Sequence, residues 1–349
     1  MFYGLWLSLV EHRVRDAGVA GSNPVNPTNT EIIRRELKTS AFRRFGGVMK
    51  KFLVIMIWLG CVVYAVGDYF VTFALERGED LSPPQACANI ADPTLKAPPA
   101  PNYPVEVWTL KSFDGLELKA ERFSPAEPNN HWAILIHGYG RDGTFAYDYA
   151  EEYLKRGWNV LIPDLRAAGE SQGQFITMGA FESRDVYDWA AKVAEENPAA
   201  QIILHGVSMG AATALMTAAL EPKNLVAVVE DCGYTSAYAM FAAQLEKIFG
   251  LPEYPVMPCA DLVCKIKTGV KISDAAPLEV VDKIKVPVLF IHGDADKLVP
   301  FEMMTQLYDA CAAPKEKFVV AGAGHADAKR QNPAAYFDKV FTFLDAATK

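Results

Sequence analysis

The stretch LHGVSMGAA, residues 204–212, decides how the rest of this chain is read, because it sets Ser208 inside a Gly206-x-Ser208-x-Gly210 frame. The apolar run before it, residues 201–204, suits a buried strand, and the small-residue run after it, residues 209–220, suits a helix. The serine then falls on a sharp strand-to-helix turn that holds its hydroxyl exposed. Glycine is needed on both sides, since a Cβ at either position would collide with the neighbouring backbone. Five residues with two wildcards also arise by chance, and the bland reading is a glycine-flanked strand end with an idle serine. Suitable partners elsewhere in the chain decide between the two.

The whole chain has 349 residues, 51% of them hydrophobic, so most of it can form one α/β domain with a large core. Net charge is −8. Residues 1–51 carry nine Lys/Arg against four Asp/Glu, leaving 25 basic against 38 acidic residues for the remainder. An acidic body argues against a nucleic-acid partner. The cysteines lack metal-ligand spacing; Cys259 and Cys264 could pair in an exported domain or stay reduced and buried.

Residues 1–48 show no sustained apolar periodicity. Gly21-Ser22-Asn23-Pro24 is what the genetic code gives for GGTTCGAATCC, the T-arm consensus of tRNA genes, so translation is expected to start at Met49; the alternative is a disordered extension. Lys50 and Lys51 then precede a stretch, residues 52–66, that is apolar apart from Tyr64, and apolar character resumes over 69–75. A bilayer span needs about 20 apolar residues, whereas a cleaved signal peptide has about 7 to 15 followed by small residues. Residues 49–75 are therefore expected to be a transmembrane signal anchor, with cleavage after Val63-Tyr64-Ala65 as the alternative. Positive charge before the span and Asp68, Glu76, Glu79 and Asp80 after it place the body outside the cytoplasm. Residues 76–104 are proline-rich and read as a linker.

The folded domain is expected over 105–349. It opens with two alternating runs around Asp114-Gly115, a hairpin signal. Strands are expected at 132–136, 159–163, 201–204, 225–230, 286–291 and 317–320, and helices at 145–156, 184–196, 209–220 and 333–347. Strand and helix alternating in this way imply a mostly parallel sheet with helices on both faces. In such sheets the chemistry gathers at the carboxyl ends of the strands.

A serine hydroxyl needs a base within hydrogen-bond reach, and the base needs an acid to orient it. His325, in the glycine-rich loop AGAGH after the last strand, is the expected base. In HGDADKLVP, residues 292–300, Asp296 is the expected acid, while Asp294 beside glycine shapes the turn. Asp231, in the Glu230-Asp231 pair at the preceding strand end, competes for the acid role. The order Ser208, Asp296, His325 differs from that of chymotrypsin and subtilisin. Two main-chain N–H groups, of Met209 and Tyr139, are expected to form an oxyanion hole. Tyr139 is otherwise an ordinary turn aromatic. His137, His205 and His292, each before a glycine at a strand end, read as buried structural histidines. The scheme requires no metal and no cofactor.

Six pieces stand in order: IHGYG (136–140), PDLRAAGESQG (163–173), GVSMGAA (206–212), EDCGYTS (230–236), FIHGDADKLVP (290–300) and GAGH (322–325). On these pieces, residues 105–344 resemble the α/β-hydrolase superfamily of serine hydrolases, in the membrane-tethered bacterial branch similar to serine-aminopeptidase-like proteins. The resemblance implies Ser208, Asp296 and His325 as a triad and Tyr139 and Met209 as oxyanion donors. One departure is Ala167-Ala168, where relatives show Gly-His in DLRGHGES. The loop is expected to persist without one polar contact.

The expected reaction is acyl transfer from a small-molecule ester through an acyl-enzyme. A peptidase or amidase on the same triad is the second reading, and a noncatalytic binding module on the same fold is a third. Residues 237–276, between two strands, are expected to form a short cap that sets substrate choice; the same residues could merely pack on the body.

Overall fold

The computed structural model describes residues 27–90, 96–127 and 129–348. The GSNP stretch on which the expected start at Met49 rests lies outside them. The chain divides into two compact units between Val63 and Tyr64. One helix, α1 (Pro27–Leu75), contributes to both. Within the first unit its residues 52–62 are apolar and exposed, and the helix is long and apolar enough to cross a membrane.

In the second unit the sheet has the order β1-β2-β4-β3-β5-β6-β7-β8. Strands β1 (Val105–Lys111) and β2 (Glu117–Phe123) form the expected hairpin, paired from Val105 with Phe123 to Lys111 with Glu117. Gly115, at φ 94°, supplies the left-handed residue that closes its turn. The hairpin joins the sheet through antiparallel pairing of β2 with β4 (Asn159–Pro163). From there β3 (His131–Ile136), β5 (Gln201–Val207), β6 (Leu225–Asp231), β7 (Val288–Gly293) and β8 (Lys315–Val320) run parallel.

Helices cover both faces, which is why the central strands are apolar throughout rather than alternating. Ile134, Ile202 and Leu204 pack on one face with Trp189 of α3 (Glu182–Glu196) and Leu215 of α4 (Met209–Ala218). Ala133, Leu135, Ile203 and Val229 pack on the other with Tyr153 of α2 (Tyr147–Leu154) and Phe341 of α8 (Pro333–Ala347). This is the α/β-hydrolase fold expected from the sequence.

Residues 237–276 hold two helices, α5 (Ala237–Phe249) and α6 (Glu253–Thr268). The prolines at 252, 255 and 258 do not prevent α6. Tyr254 is still extended (φ −93°, ψ 132°), so Pro255 opens the regular helix where no intrahelical acceptor is lost, and Pro258, inside the helix, forgoes only its first i→i−4 bond, to the Tyr254 carbonyl. A further helix, α7 (Phe301–Ala310), was not among the expected ones.

The end of α1 is packed within the second unit. Val71 and Leu75 are fully buried in the main core. Gly67 lies so close to α6 that a Cβ there would sit 2.4 Å from Cys259 O. Lys267 of α6 binds Asp68 at 2.8 Å and Glu76 at 3.2 Å. Part of the expected linker continues this attachment: Arg77 N–H donates to Gln174 O at 2.7 Å, Ile176 N–H donates to Leu75 O at 2.9 Å, and Cys87 is buried. All six cysteines are free thiols, so Cys259 and Cys264, five positions apart on one helix, are not paired.

Candidate active site

Strand β5 ends at Val207 and α4 begins at Met209, leaving Ser208 on the turn at φ 58°, ψ −118°. A side-chain-bearing residue is strained there and persists only where its surroundings fix it. The two glycines allow the fit: a Cβ on Gly206 would lie 2.1 Å from Gly210 O, and one on Gly210 would lie 2.0 Å from Ile136 O. Ser208 N–H donates to Asp231 O at 2.8 Å, fastening the elbow to the end of β6.

Asp296 stands in the turn after β7, and His325 in the loop after β8. The Ser208 hydroxyl donates to His325 Nε2 at 2.8 Å, and His325 Nδ1–H donates to Asp296 Oδ2 at 2.8 Å. Asp296 Oδ1 accepts the N–H groups of Leu298 at 2.8 Å and Val299 at 2.9 Å. Burial pushes this carboxyl up, but its contacts with His292 and His325 outweigh burial and hold it well below the usual carboxylate range. Asp296 is thus kept as an anion beside the imidazole.

The competing acids are placed elsewhere. Asp231 Oδ2 accepts the Tyr336 hydroxyl at 2.8 Å, and Asp294 Oδ1 accepts Gly322 N–H at 2.6 Å, shaping the loop as expected. Neighbouring Glu230 is fully buried, which pushes its carboxyl up to about 8; its Oε1 accepts Gly233 N–H.

The loop after β3 presses on the elbow, with Gly138 so placed that a Cβ would sit 3.5 Å from Ser208 Cβ. Among the described residues, neither Tyr139 N–H nor Met209 N–H has an acceptor. Met209 N–H also belongs to the first turn of α4, where the helix dipole favours negative charge. The Tyr139 ring is more than a turn aromatic. Its hydroxyl donates to Ala74 O at the end of α1, and its ring meets Phe241 of α5 edge-on at 6.5 Å.

His137 Nε2 accepts Leu165 N–H at 3.0 Å, and His205 lies between the hydroxyls of Tyr153 and Tyr336. Burial drives both pKa values down, that of His205 to about 3, so both act as neutral structural groups. His292 differs, because its Nε2, which donates to Val299 O, also lies 3.4 Å from Asp296 Oδ2. Sequence reading missed this contact and the Tyr139 link to Ala74. The glycine after each histidine gave no signal of difference, and Ala74 acts through its main chain.

The departure at Ala167 leaves the loop intact. Ala167 adopts φ 58°, and Asp164 holds the loop by accepting Gly143 N–H and Glu170 N–H, each at 2.8 Å. A cavity of about 1170 Å³ opens over Ser208 and His325, with Met178, Met240, Phe241, Ile248 and Leu298 among its apolar walls.

Comparison with known proteins agrees with this fold. Residues 145–349 match the prolyl oligopeptidase family. The uncharacterized protein YqkD of Bacillus subtilis is 31% identical over 240 residues, which cover 68% of this chain and 78% of YqkD. The Pyrococcus furiosus esterase Pf2001 superposes with a TM-score of 0.60 at 23% identity, covering 73% of this chain and 100% of that one. The Pyrococcus horikoshii acylaminoacyl peptidase gives 0.53 at 15% identity, covering 70% of this chain and 41% of that one. The family match covers more than half the chain and accords with the sheet order, and the chain belongs to the prolyl oligopeptidase family, hydrolases of the α/β-hydrolase fold.

Proposed function

We propose that this protein hydrolyses carboxylic esters through Ser208, His325 and Asp296, with the N–H groups of Tyr139 and Met209 as oxyanion donors. One observation carries the reading: an unbroken chain of hydrogen bonds from the Ser208 hydroxyl through His325 to an ionised Asp296. In this mechanism His325 Nε2 takes the proton as Ser208 Oγ attacks the acyl carbon, and the negative oxygen develops against the two free N–H groups. His325 then gives its proton to the departing alcohol, leaving an acyl-enzyme. Water, deprotonated by the same imidazole, releases the acid and restores the serine. The apolar cavity walls favour an acyl chain. A peptidase or amidase on the same three side chains is the second reading, favoured by the family match.

The test is labelling of the full chain by a fluorophosphonate probe, wild type against Ser208→Ala. Wild type is expected to label and the variant to stay blank, with turnover of p-nitrophenyl esters lower by about 10⁴-fold or more in the variant. Equal labelling would overturn the assignment. Higher kcat/KM on peptidyl anilides than on esters would select the second reading.

The N-terminal helix supports a matching location. Its apolar, exposed residues 52–62 suit a membrane anchor, and the lysines before them suit a body outside the cytoplasm. Cleavage at Ala65 and secretion is the alternative, distinguished by the mass of the mature chain.

A further inference from the structure

Residues 52–66 form an apolar stretch of fifteen residues. At 1.5 Å per residue this spans about 22 Å, short of the roughly 30 Å hydrocarbon core of a bilayer. A helix crossing the membrane must therefore draw its remaining turn and a half from residues 67–71, on the far side of Lys50 and Lys51. Those residues are not free. Gly67 abuts Cys259 and Val263 of α6, Asp68 is paired with Lys267, and Phe70 packs among Leu245, Val256 and Met257. Whatever angle the span takes, chain connectivity draws the α5–α6 pair toward the membrane with them.

The outer surface of that pair is suited to such a place. On α6, Leu262 is 50% exposed and Ile266 61%, four positions apart on one face and one step around the helix from the residues that touch Gly67. Tyr254, 77% exposed, and Leu251 extend the patch at the start of the helix. Lys265, also exposed, offers a cation for lipid phosphate beside them. Exposed apolar side chains with aromatic and basic members among them suit a membrane contact. Helix α5 also reaches the cavity over Ser208, which Met240, Phe241 and Ile248 line.

We infer that the face bearing Leu251, Tyr254, Leu262 and Ile266 lies in the interfacial layer of the bilayer that α1 crosses, and that the cavity receives acyl esters resident in that membrane. The inference rests on the anchor and esterase readings given above. Its test separates them, using the full chain reconstituted in vesicles of phosphatidylcholine and phosphatidylglycerol. An environment-sensitive nitrobenzoxadiazole is attached at Leu262→Cys, Ile266→Cys or the distant Val107→Cys, each with Cys61→Ser and Cys259→Ser. Flotation of the vesicles after alkaline wash reads the anchor alone. Probes at 262 and 266 are expected to shift to the blue and to be quenched by spin-labelled lipid, while the probe at 107 stays in water. If the chain floats and all three probes behave alike, the inference is overturned; if it does not float, the anchor fails and the inference with it.

A second arm uses the Leu262→Glu/Ile266→Glu double variant. Hydrolysis of dissolved p-nitrophenyl butyrate is expected to be unchanged, whereas release of fatty acid from a long-chain monoacylglycerol in the same vesicles falls by about tenfold or more, equivalent to at least about 1.4 kcal/mol. Equal rates for variant and wild type on the vesicle ester overturn the inference, as does an equal loss on both substrates. Failure of wild type on the dissolved ester counts against the esterase reading instead.

Discussion

Replacing Asp296 with asparagine keeps the shape of the acid and removes its charge. Its amide would present a donor where His325 Nδ1–H now donates, so the imidazole would be turned or held in the wrong tautomer. Asp296→Asn is expected to lower kcat by roughly 10³- to 10⁴-fold with little change in KM, read by steady-state kinetics. Behind it, Glu230 makes the opposite demand. Burial raises its pKa to about 8 in the folded chain, from 4.5 when exposed, so folding takes up a proton between those values. Stability from this group is full below the lower value and is lost as pH rises through the upper one. Asp296, with its pKa depressed, contributes stability that is lost only in strong acid. Glu230→Gln removes the first dependence and keeps an oxygen for Gly233 N–H. Its Tm relative to wild type is expected to climb by on the order of 5 °C between about pH 5 and pH 8, read by differential scanning fluorimetry.

Among the elements, the loop after β4 is held by a buried guanidinium. Arg166 makes two bonds to Asp185 of α3, at 2.7 Å and 2.8 Å, and reaches Asp114 in the β1–β2 turn at 2.8 Å, with the Phe113 and Phe181 rings beside it. Arg166→Ala leaves the buried Asp185 carboxyl, which burial already pushes up to about 7, without its guanidinium partner and is expected to cost about 3–5 kcal/mol, measured by urea unfolding. Asp185→Asn/Arg166→Met is expected to recover much of that loss, because no unpaired charge then remains buried. Strands β3, β4 and β5 were legible because each carries an apolar run that ends in glycine or a turn residue, and β1 and β2 because they alternate around Asp114-Gly115. Helix α7 was not: it follows Pro300, and only Met304 and Leu307 are buried along it, a weak apolar stripe. Helix α6 was obscured by three prolines that read as breakers but sit where a helix can accept them.

For the molecule as a whole, the three catalytic candidates were legible because each falls just past a strand end on glycine-rich sequence, and parallel topology brings such ends to one edge. The role of residues 64–87 was not legible. Hydropathy assigned the first part to a bilayer and proline content assigned the rest to a linker, while several of its attachments, beside the buried Val71 and Leu75 and the Lys267 ion pairs, run through main-chain groups and a glycine that composition cannot flag. Substituting Gly67 tests that attachment. In Gly67→Val the new Cβ would also meet Val263 Cγ2 at 2.5 Å, prising α1 from α6. The variant is expected to lose about 1–3 kcal/mol, seen as a lower midpoint in urea and faster protease nicking between residues 76 and 90.

Tyr139 binds the carbonyl of Ala74, so a would-be oxyanion donor is braced by the tail of the apolar helix. A practical rule for handling the protein follows. Expression fragments trimmed to the obvious sheet boundary near residue 105 would discard Val71 and Leu75 from the core together with that brace, and are expected to precipitate or to be sluggish. Cutting just before Tyr64 would spare both.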